Sequence, residues 1–391
     1  MSRRLPKAVV SPKDYSNCPW TDFFRCENPL SKLEELQKTE KTPDSKLINH
    51  LHFDMRLDRD KAELLAQTYM FQDKLVKNDK EINLIINLPF CMWRCFNCTR
   101  VMYDKNKNGD VYPYYYEALI KEIKQARDII FKKSYIVQNV SFTGNLMALE
   151  PEKIDELLKL TSYAFSQITV ELGSPNFVTV EKLDILKKYN VERIVFNTLT
   201  FNTVSLRQLC RRYEFKELYE AYKLIIAYGF ETSFELVVGL LDEKELQLKR
   251  NLELAIDLGA SNIDVYARNC KFIKERLPLT DKKQISEIRE LLEFAHKFMI
   301  EKVYNPYFVY CTEVENACFE NVGYSLPEKQ SRVLHDVVDK VSTVLACGTL
   351  VDSMIVKNLD NSREYFSNPY DISQYVFGID ELLTKKAEFF K

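Results

Sequence analysis

The sequence has 391 residues, enough for one large domain with appendages or for two, and its 46% hydrophobic and 29% charged content is ordinary for a folded, soluble protein. Lysine and arginine (55) balance aspartate and glutamate (57) to a formal net charge of −2, so neither nucleic acid nor an anionic membrane is expected as a partner. No apolar run approaches the roughly 18 residues that span a bilayer, and the opening Met1-Ser-Arg-Arg-Leu leads into Pro, Lys and Asp rather than an apolar core, so a cytoplasmic location is expected.

Residues 1–80 are polar and charged and carry no clear strand. Stretches 31–37 and 60–75 read as helices, with Leu64, Leu65, Tyr69 and Phe71 recurring at helical spacing. This segment is expected to be an N-terminal cap or accessory piece. From residue 82 short β-branched runs alternate with amphipathic ones: strands are predicted over 82–88, 137–142, 167–172, 192–197, 232–238 and 262–266. Helices are predicted between them over 114–131, 151–165, 178–188, 215–228 and 243–258. The strands read as mostly continuous apolar runs, the pattern of a parallel sheet covered by helices. Six βα units in succession predict an α/β fold, with the sheet open or curled into a partial (β/α)6 barrel over residues 81–275. Cofactors in such folds bind at the carboxyl ends of the strands. Residues 276–391 begin with a long amphipathic helix over 281–301. The aromatic run Tyr304-Asn-Pro-Tyr-Phe-Val-Tyr310, then Asn321-Val-Gly-Tyr-Ser325 and an apolar run over 341–349 follow, so a mixed α+β segment covering the substrate side is expected.

Three of the ten cysteines crowd into Cys91-Met-Trp-Arg-Cys95-Phe-Asn-Cys98, directly after the first predicted strand. The scattered ones (Cys18, Cys26, Cys210, Cys270, Cys311, Cys318 and Cys347) read as small buried hydrophobes. Three thiolates on one irregular loop suit three irons of a cubane, the fourth iron keeping a position open for an external ligand. Structural zinc wants four protein ligands, and the fourth would have to come from a distant residue such as His50, His52 or Cys311.

On these residues the sequence resembles the radical S-adenosylmethionine superfamily, and within it the oxygen-independent coproporphyrinogen III oxidase group, especially the coproporphyrinogen dehydrogenase branch. The resemblance covers about residues 82–375 and rests on Asn87-Leu-Pro-Phe-Cys91 with the cysteine triplet, Thr169-Val-Glu-Leu-Gly-Ser-Pro175, Arg193-Ile-Val-Phe-Asn197 and Glu235-Leu-Val-Val-Gly-Leu240. The late Asn321-Val-Gly-Tyr-Ser-Leu-Pro327 belongs to it too. It implies the partial barrel that the βα units suggest, a 4Fe-4S cluster on Cys91, Cys95 and Cys98, and bound S-adenosylmethionine. It further implies that Glu171 holds the cofactor's amino group or ribose hydroxyls and that Glu235 is a ribose ligand. Arg211 would pair with its carboxylate or with a substrate propionate, Gly144 would meet its methionine part, and Phe96 would lie near its adenine. The implied partners are a small-molecule substrate of tetrapyrrole type and an electron donor such as flavodoxin or ferredoxin.

The chain departs from the family pattern in several places. Where the family has Gly-Gly-Gly-Thr-Pro, this sequence has Thr143-Gly-Asn-Leu-Met147, retaining Gly144 alone. The aromatic residue expected before the third cysteine is Asn97, the usual glutamine after the fourth strand is Leu199, and the usual aspartate is Glu235. Arg212 and Tyr213 follow Arg211 where the family has histidine, and Leu241 replaces a proline. Two functions are therefore carried forward. One is a radical enzyme that cleaves S-adenosylmethionine and abstracts hydrogen from a tetrapyrrole or similar substrate. The other is a non-catalytic iron–sulfur or haem-binding, trafficking protein derived from the same family.

Overall fold

The structure, a computed structural model, describes residues 80–91, 103–104, 111–163, 166–209, 211–240, 243–268, 282–314, 317–333, 342–357 and 362–391. The expected helices over 31–37 and 60–75 lie outside the described residues, as do His50 and His52.

The first strand, β1 (Glu81–Leu88), ends at Pro89, which has no N–H to continue the ladder. A two-residue ribbon of β2 (Phe90–Cys91) and β3 (Tyr103–Asp104) follows. Helix α1 (Tyr112–Lys133) starts with a proline in its first turn and stops at Ser134, whose left-handed backbone turns the chain. Then come β4 (Ile136–Gly144), α2 (Pro151–Thr161), β5 (Gln167–Glu171), α3 (Val180–Lys188), β6 (Arg193–Leu199) and the short α4 (Thr203–Gln208). Helix α5 (Phe215–Ala227), β7 (Glu231–Val238), α6 (Glu245–Asp257) and β8 (Asn262–Ala267) complete the βα series. Helix α2 ends four residues before the predicted 165: Thr161 and Ser162 turn their hydroxyls back on the carbonyls of Leu157 and Leu158 and close the last turn.

The remaining elements are α7 (Lys282–Glu301), β9 (Asn305–Val314), β10 (Ala317–Ser325), β11 (Thr343–Cys347), β12 (Asp352–Lys357), β13 (Ser362–Ser367), α8 (Ile372–Phe377) and α9 (Ile379–Phe389). All strands but the short ribbon form one sheet in the order β13-β12-β11-β1-β4-β5-β6-β7-β8-β10-β9. Strands β1 and β4 to β8 are parallel neighbours, and β11 runs parallel to β1 on its other side. This is the α/β architecture read from the six βα units, and residues beyond 276 extend its sheet at both edges.

The strands alternate more cleanly than their sequences suggest. Ile82, Leu84, Ile86, Val140, Phe142, Ile168, Val170, Ile194, Phe196, Phe234, Leu236, Ile263 and Val265 belong to the main core against the helices. Their neighbours Asn83, Asn87, Asn139, Ser141, Thr143, Glu171, Ser233, Glu235, Asn262 and Asp264 are also buried, and the period of two places them on the opposite face. That face is polar because it lines the concave side, where the layer against it is no longer helices but the other strands. A second cluster joins Ile85 of β1 and Val344, Ala346 and Met354 of β11 and β12 to Tyr266 of β8 and Tyr307 and Phe308 of β9. Five strand steps separate β1 from β8, about 24 Å in a flat sheet, so the sheet curls until its two halves meet.

Helices α8 and α9 are fastened to α1 by a fully buried ion pair. Glu122 of α1 and Lys386 of α9 lie 2.5 Å apart with both side chains fully shielded from solvent. Glu122 also accepts hydrogen bonds from Asn368 (2.8 Å), the Gly348 backbone N–H (2.7 Å) and the Tyr375 hydroxyl (2.6 Å), and Lys386 donates to the Ala346 carbonyl. The turn after β11 is thereby pressed against the end of β1: Asn87 donates to the Thr349 carbonyl at 2.7 Å, and Tyr115 donates to the Asn87 carbonyl at 2.8 Å.

Candidate functional site at the carboxyl ends of the strands

Cys91 stands just beyond the carboxyl end of β1, 8% exposed. Phe90 fixes it by wedging edge-on between Tyr112 (5.0 Å) and Tyr115 (5.2 Å) of α1. The Asn145 side-chain amide donates to the Cys91 sulfur at 3.5 Å. Cys95, Cys98, Phe96 and Asn97 lie outside the described residues.

Gly144 ends β4 with φ +88°, and a Cβ there would come within 2.2 Å of the Leu88 carbonyl oxygen. Glycine is required at this position because the loop turns back hard against β1. The Gly144 N–H donates to Glu171 at 2.9 Å, and the Asn145 N–H to the Leu88 carbonyl at 3.2 Å. Glu171 is the last residue of β5 and is 2% exposed. Two of the residues named from sequence, Gly144 and Glu171, are thus in direct contact, and Asn145 ties them to Cys91.

Glu235 sits lower in the concave face. It accepts from the Asn197 side chain on β6 and pairs in register with Asp264 on β8. Asp264 is fully buried; burial, then the neighbouring Glu235, pushes its carboxyl well above the usual carboxylate range. One Asp264 oxygen accepts from the Tyr307 hydroxyl at 3.0 Å, and the other has no partner among the described residues. Tyr307 reaches it because β9 shifts register against β10 between Phe308 and Pro306, leaving Tyr307 as the extra residue. Such a bulge re-aims a side chain. Burial, then Asp264, likewise holds the Tyr307 hydroxyl well above its ordinary value.

The remaining candidates lie near the rim. Leu199 ends β6 with φ +66° and forms a small apolar cluster with Leu209 and Leu240. Arg211 is half-buried; it donates to the Tyr213 hydroxyl at 3.3 Å, with its guanidinium 6.0 Å over that ring. Leu241 lies outside the described residues. Glu243 accepts from the Gly239 N–H at 2.8 Å, and burial lifts its carboxyl from 4.5 to about 7. Among the described residues no three His, Cys, Asp or Glu side chains are grouped as metal ligands, and the side chains of Cys311 and Cys318 are outside them.

Residues 85–255, the stretch from β1 to α6 that carries all these contacts save those of Asp264 and Tyr307, match the family profile of the Radical SAM superfamily. Over that stretch the chain is similar to radical SAM proteins. Radical SAM proteins generally bind a 4Fe-4S cluster and S-adenosylmethionine. The chain is 24% identical over 320 residues to the oxygen-independent coproporphyrinogen-III oxidase-like protein HemZ of Bacillus subtilis (strain 168), covering 79% of this chain and 64% of that protein. It therefore spans a little under two thirds of that relative. It is 27% identical over 194 residues to the heme chaperone HemW of the same bacterium, covering 46% of this chain and 49% of the chaperone. The solved structure of coproporphyrinogen III oxidase (HemN) from Escherichia coli shares the fold, with a TM-score of 0.62 at 16% identity over 80% of this chain and 72% of that one.

The described part of the site suits the family's cofactors in its chemistry. A soft sulfur ligand is presented in a largely buried position, with an amide donor on it. Two fully or nearly fully buried polar atoms have no partners among the described residues, Asn145 Oδ1 next to it and Ser174 Oγ on the loop after β5. Buried polar atoms in that state call for a polar ligand. Sequence reasoning registered Asn145 only as a missing glycine and passed over Asp264 and Tyr307, whose meeting depends on a bulge that leaves no mark in composition or periodicity.

Proposed function

We propose that Cys91, Cys95 and Cys98 hold a 4Fe-4S cluster at the mouth of the curled sheet, and that S-adenosylmethionine binds beside it across the ends of β4 to β8. The observation that carries this reading is the set Cys91–Asn145–Gly144–Glu171, in which a cluster cysteine, the one retained glycine and the expected cofactor carboxylate are linked by two hydrogen bonds. The chemistry supplied there would be reductive cleavage of S-adenosylmethionine to methionine and a hydrogen-abstracting 5′-deoxyadenosyl radical. Gly144 lets the backbone approach, and Glu171 offers a carboxylate to an ammonium or hydroxyl donor. Glu235, steadied by Asn197, offers a second carboxylate deeper in the concave face. Arg211, on the rim, suits a carboxylate of cofactor or substrate. The substrate class that fits the family resemblance is a propionate-bearing tetrapyrrole or a similar small molecule, with flavodoxin or ferredoxin as electron donor.

Anaerobic reconstitution should give about four irons per chain and dithionite-dependent 5′-deoxyadenosine, both lost in Cys95→Ala. A protein that holds zinc without iron or sulfide sinks the proposal. The second reading, a non-catalytic cluster- or haem-binding protein, is favoured by one observation: Leu199 makes apolar contact with Leu209 and Leu240 where the family places a glutamine. A full cluster that never yields 5′-deoxyadenosine, together with tight haem binding, would decide for it.

A further inference from the structure

We propose that Asn145 tunes the cluster: its side-chain amide hydrogen-bonds the Cys91 sulfur and raises the cluster's reduction potential, so the lost glycine run is a replacement rather than a decay. The inference rests on the reading that Cys91 is a cluster ligand.

Three observations carry it. Asn145 is fully buried and its Nδ2 lies 3.5 Å from the Cys91 sulfur. Its backbone is pinned on both sides, since its N–H donates to the Leu88 carbonyl and its carbonyl accepts from the Ala148 N–H. The amide is therefore aimed by the fold. Opposite it stands Gly173, φ +70°, where a Cβ would come within 2.5 Å of the Asn145 side-chain carbon. The space for the larger residue at 145 is thus opened by a glycine on the neighbouring loop, which is the mark of a fitted side chain.

The polarity of the amide follows from chemistry. The reversed orientation would set Oδ1 against an electron-rich sulfur, so the nitrogen faces Cys91 and Oδ1 faces away, where it has no partner among the described residues. An N–H on a ligating thiolate withdraws electron density from the metal and favours the more negative, reduced state. Burial of both groups removes the water that would otherwise compete for the sulfur. Asn145 acts through Cys91 and is a positioning residue, not a catalytic one.

The test is a redox titration of the reconstituted full chain, followed by electron paramagnetic resonance, for wild type, Asn145→Ala and Asn145→Leu. Leucine keeps the branched outline of asparagine without the donor but is larger, whereas alanine is smaller, so the two variants disturb packing in opposite senses and share only the loss of the N–H donor. Both variants should hold wild-type iron, with the midpoint lowered by at least a tenfold change in the reduction equilibrium, ~59 mV for one electron. An unchanged midpoint at full iron overturns the inference while the cluster reading stands. Loss of iron in both variants overturns it too, because tuning leaves ligation intact. A wild-type protein that takes up no iron removes the cluster reading itself.

Discussion

Replacing Lys386 by methionine removes the positive half of a pair in which neither side chain touches water. Methionine nearly preserves the volume, so the loss is electrostatic. Glu122 keeps three donors, from Asn368, Gly348 and Tyr375, but no cation, and the Ala346 carbonyl loses the donor it had. Breaking one side of a buried pair costs about 3–5 kcal/mol, because a desolvated charge is stranded. A domain is stabilised by only about 5–15 kcal/mol in total, so the midpoint of urea denaturation, followed by far-ultraviolet circular dichroism, should fall by about a fifth or more. Glu122→Gln with Lys386→Met removes both charges together, and the double variant should be more stable than Lys386→Met alone. The reasoning fails if the single variant loses less than about 1 kcal/mol, or if the two substitutions simply add.

Four further outcomes follow from the same geometry. Gly144→Ala forces a Cβ to within 2.2 Å of a carbonyl at φ +88° and should cost at least ~2 kcal/mol by denaturation, with Cys91 becoming faster to modify by a thiol reagent; unchanged stability would contradict the close approach. Glu243 has a folded-state carboxyl raised from 4.5 to about 7, so its contribution is full below 4.5 and is lost as pH rises through about 7; Glu243→Gln should flatten the stability profile between those limits, and a parallel profile would refute the assignment. Asp264 is raised in the same direction, chiefly by burial, so Asp264→Asn should stabilise the protein increasingly as pH rises above the ordinary carboxylate range, whereas equal destabilisation at every pH would show a charged Asp264. Gly323→Ala drives a Cβ to within 2.1 Å of the Phe308 ring and should destabilise by ~1–3 kcal/mol; a neutral result in calorimetry would show that β9 can slide.

The six parallel strands were legible to within two residues at either end, because Ile-, Val- and Phe-rich runs bounded by amphipathic helices leave few alternatives. Their two-faced character was harder to see. Asn83, Asn87 and Asn139 look like interruptions in apolar runs until the curl supplies a second, polar interior; there Asn139 donates to Asn83 at 2.6 Å and Thr143 to Asn87 at 3.1 Å. Cys91, Gly144 and Glu171 could be picked out because motif spacing survives divergence, and the structure shows where each stands. Glu122 and Lys386, 264 positions apart, could not be paired: a Lys on a C-terminal helix carries no sign that its charge is destined for the interior. Asn145 was visible as an absence only, since its role depends on Gly173 across the sheet.

The strand that leads into the cysteine loop has a consequence for biosynthesis. β1 lies between β4 and β11, and β11 begins only at Thr343. At a synthesis rate of ~5–20 residues per second, β1 waits roughly 10–50 s on the ribosome for its second neighbour. Through that interval the ribbon at Cys91 hangs from a half-paired edge, the kind of edge that recruits stray strands. The seat of Cys91 is therefore completed only once β11 has been made, long after the cysteine itself.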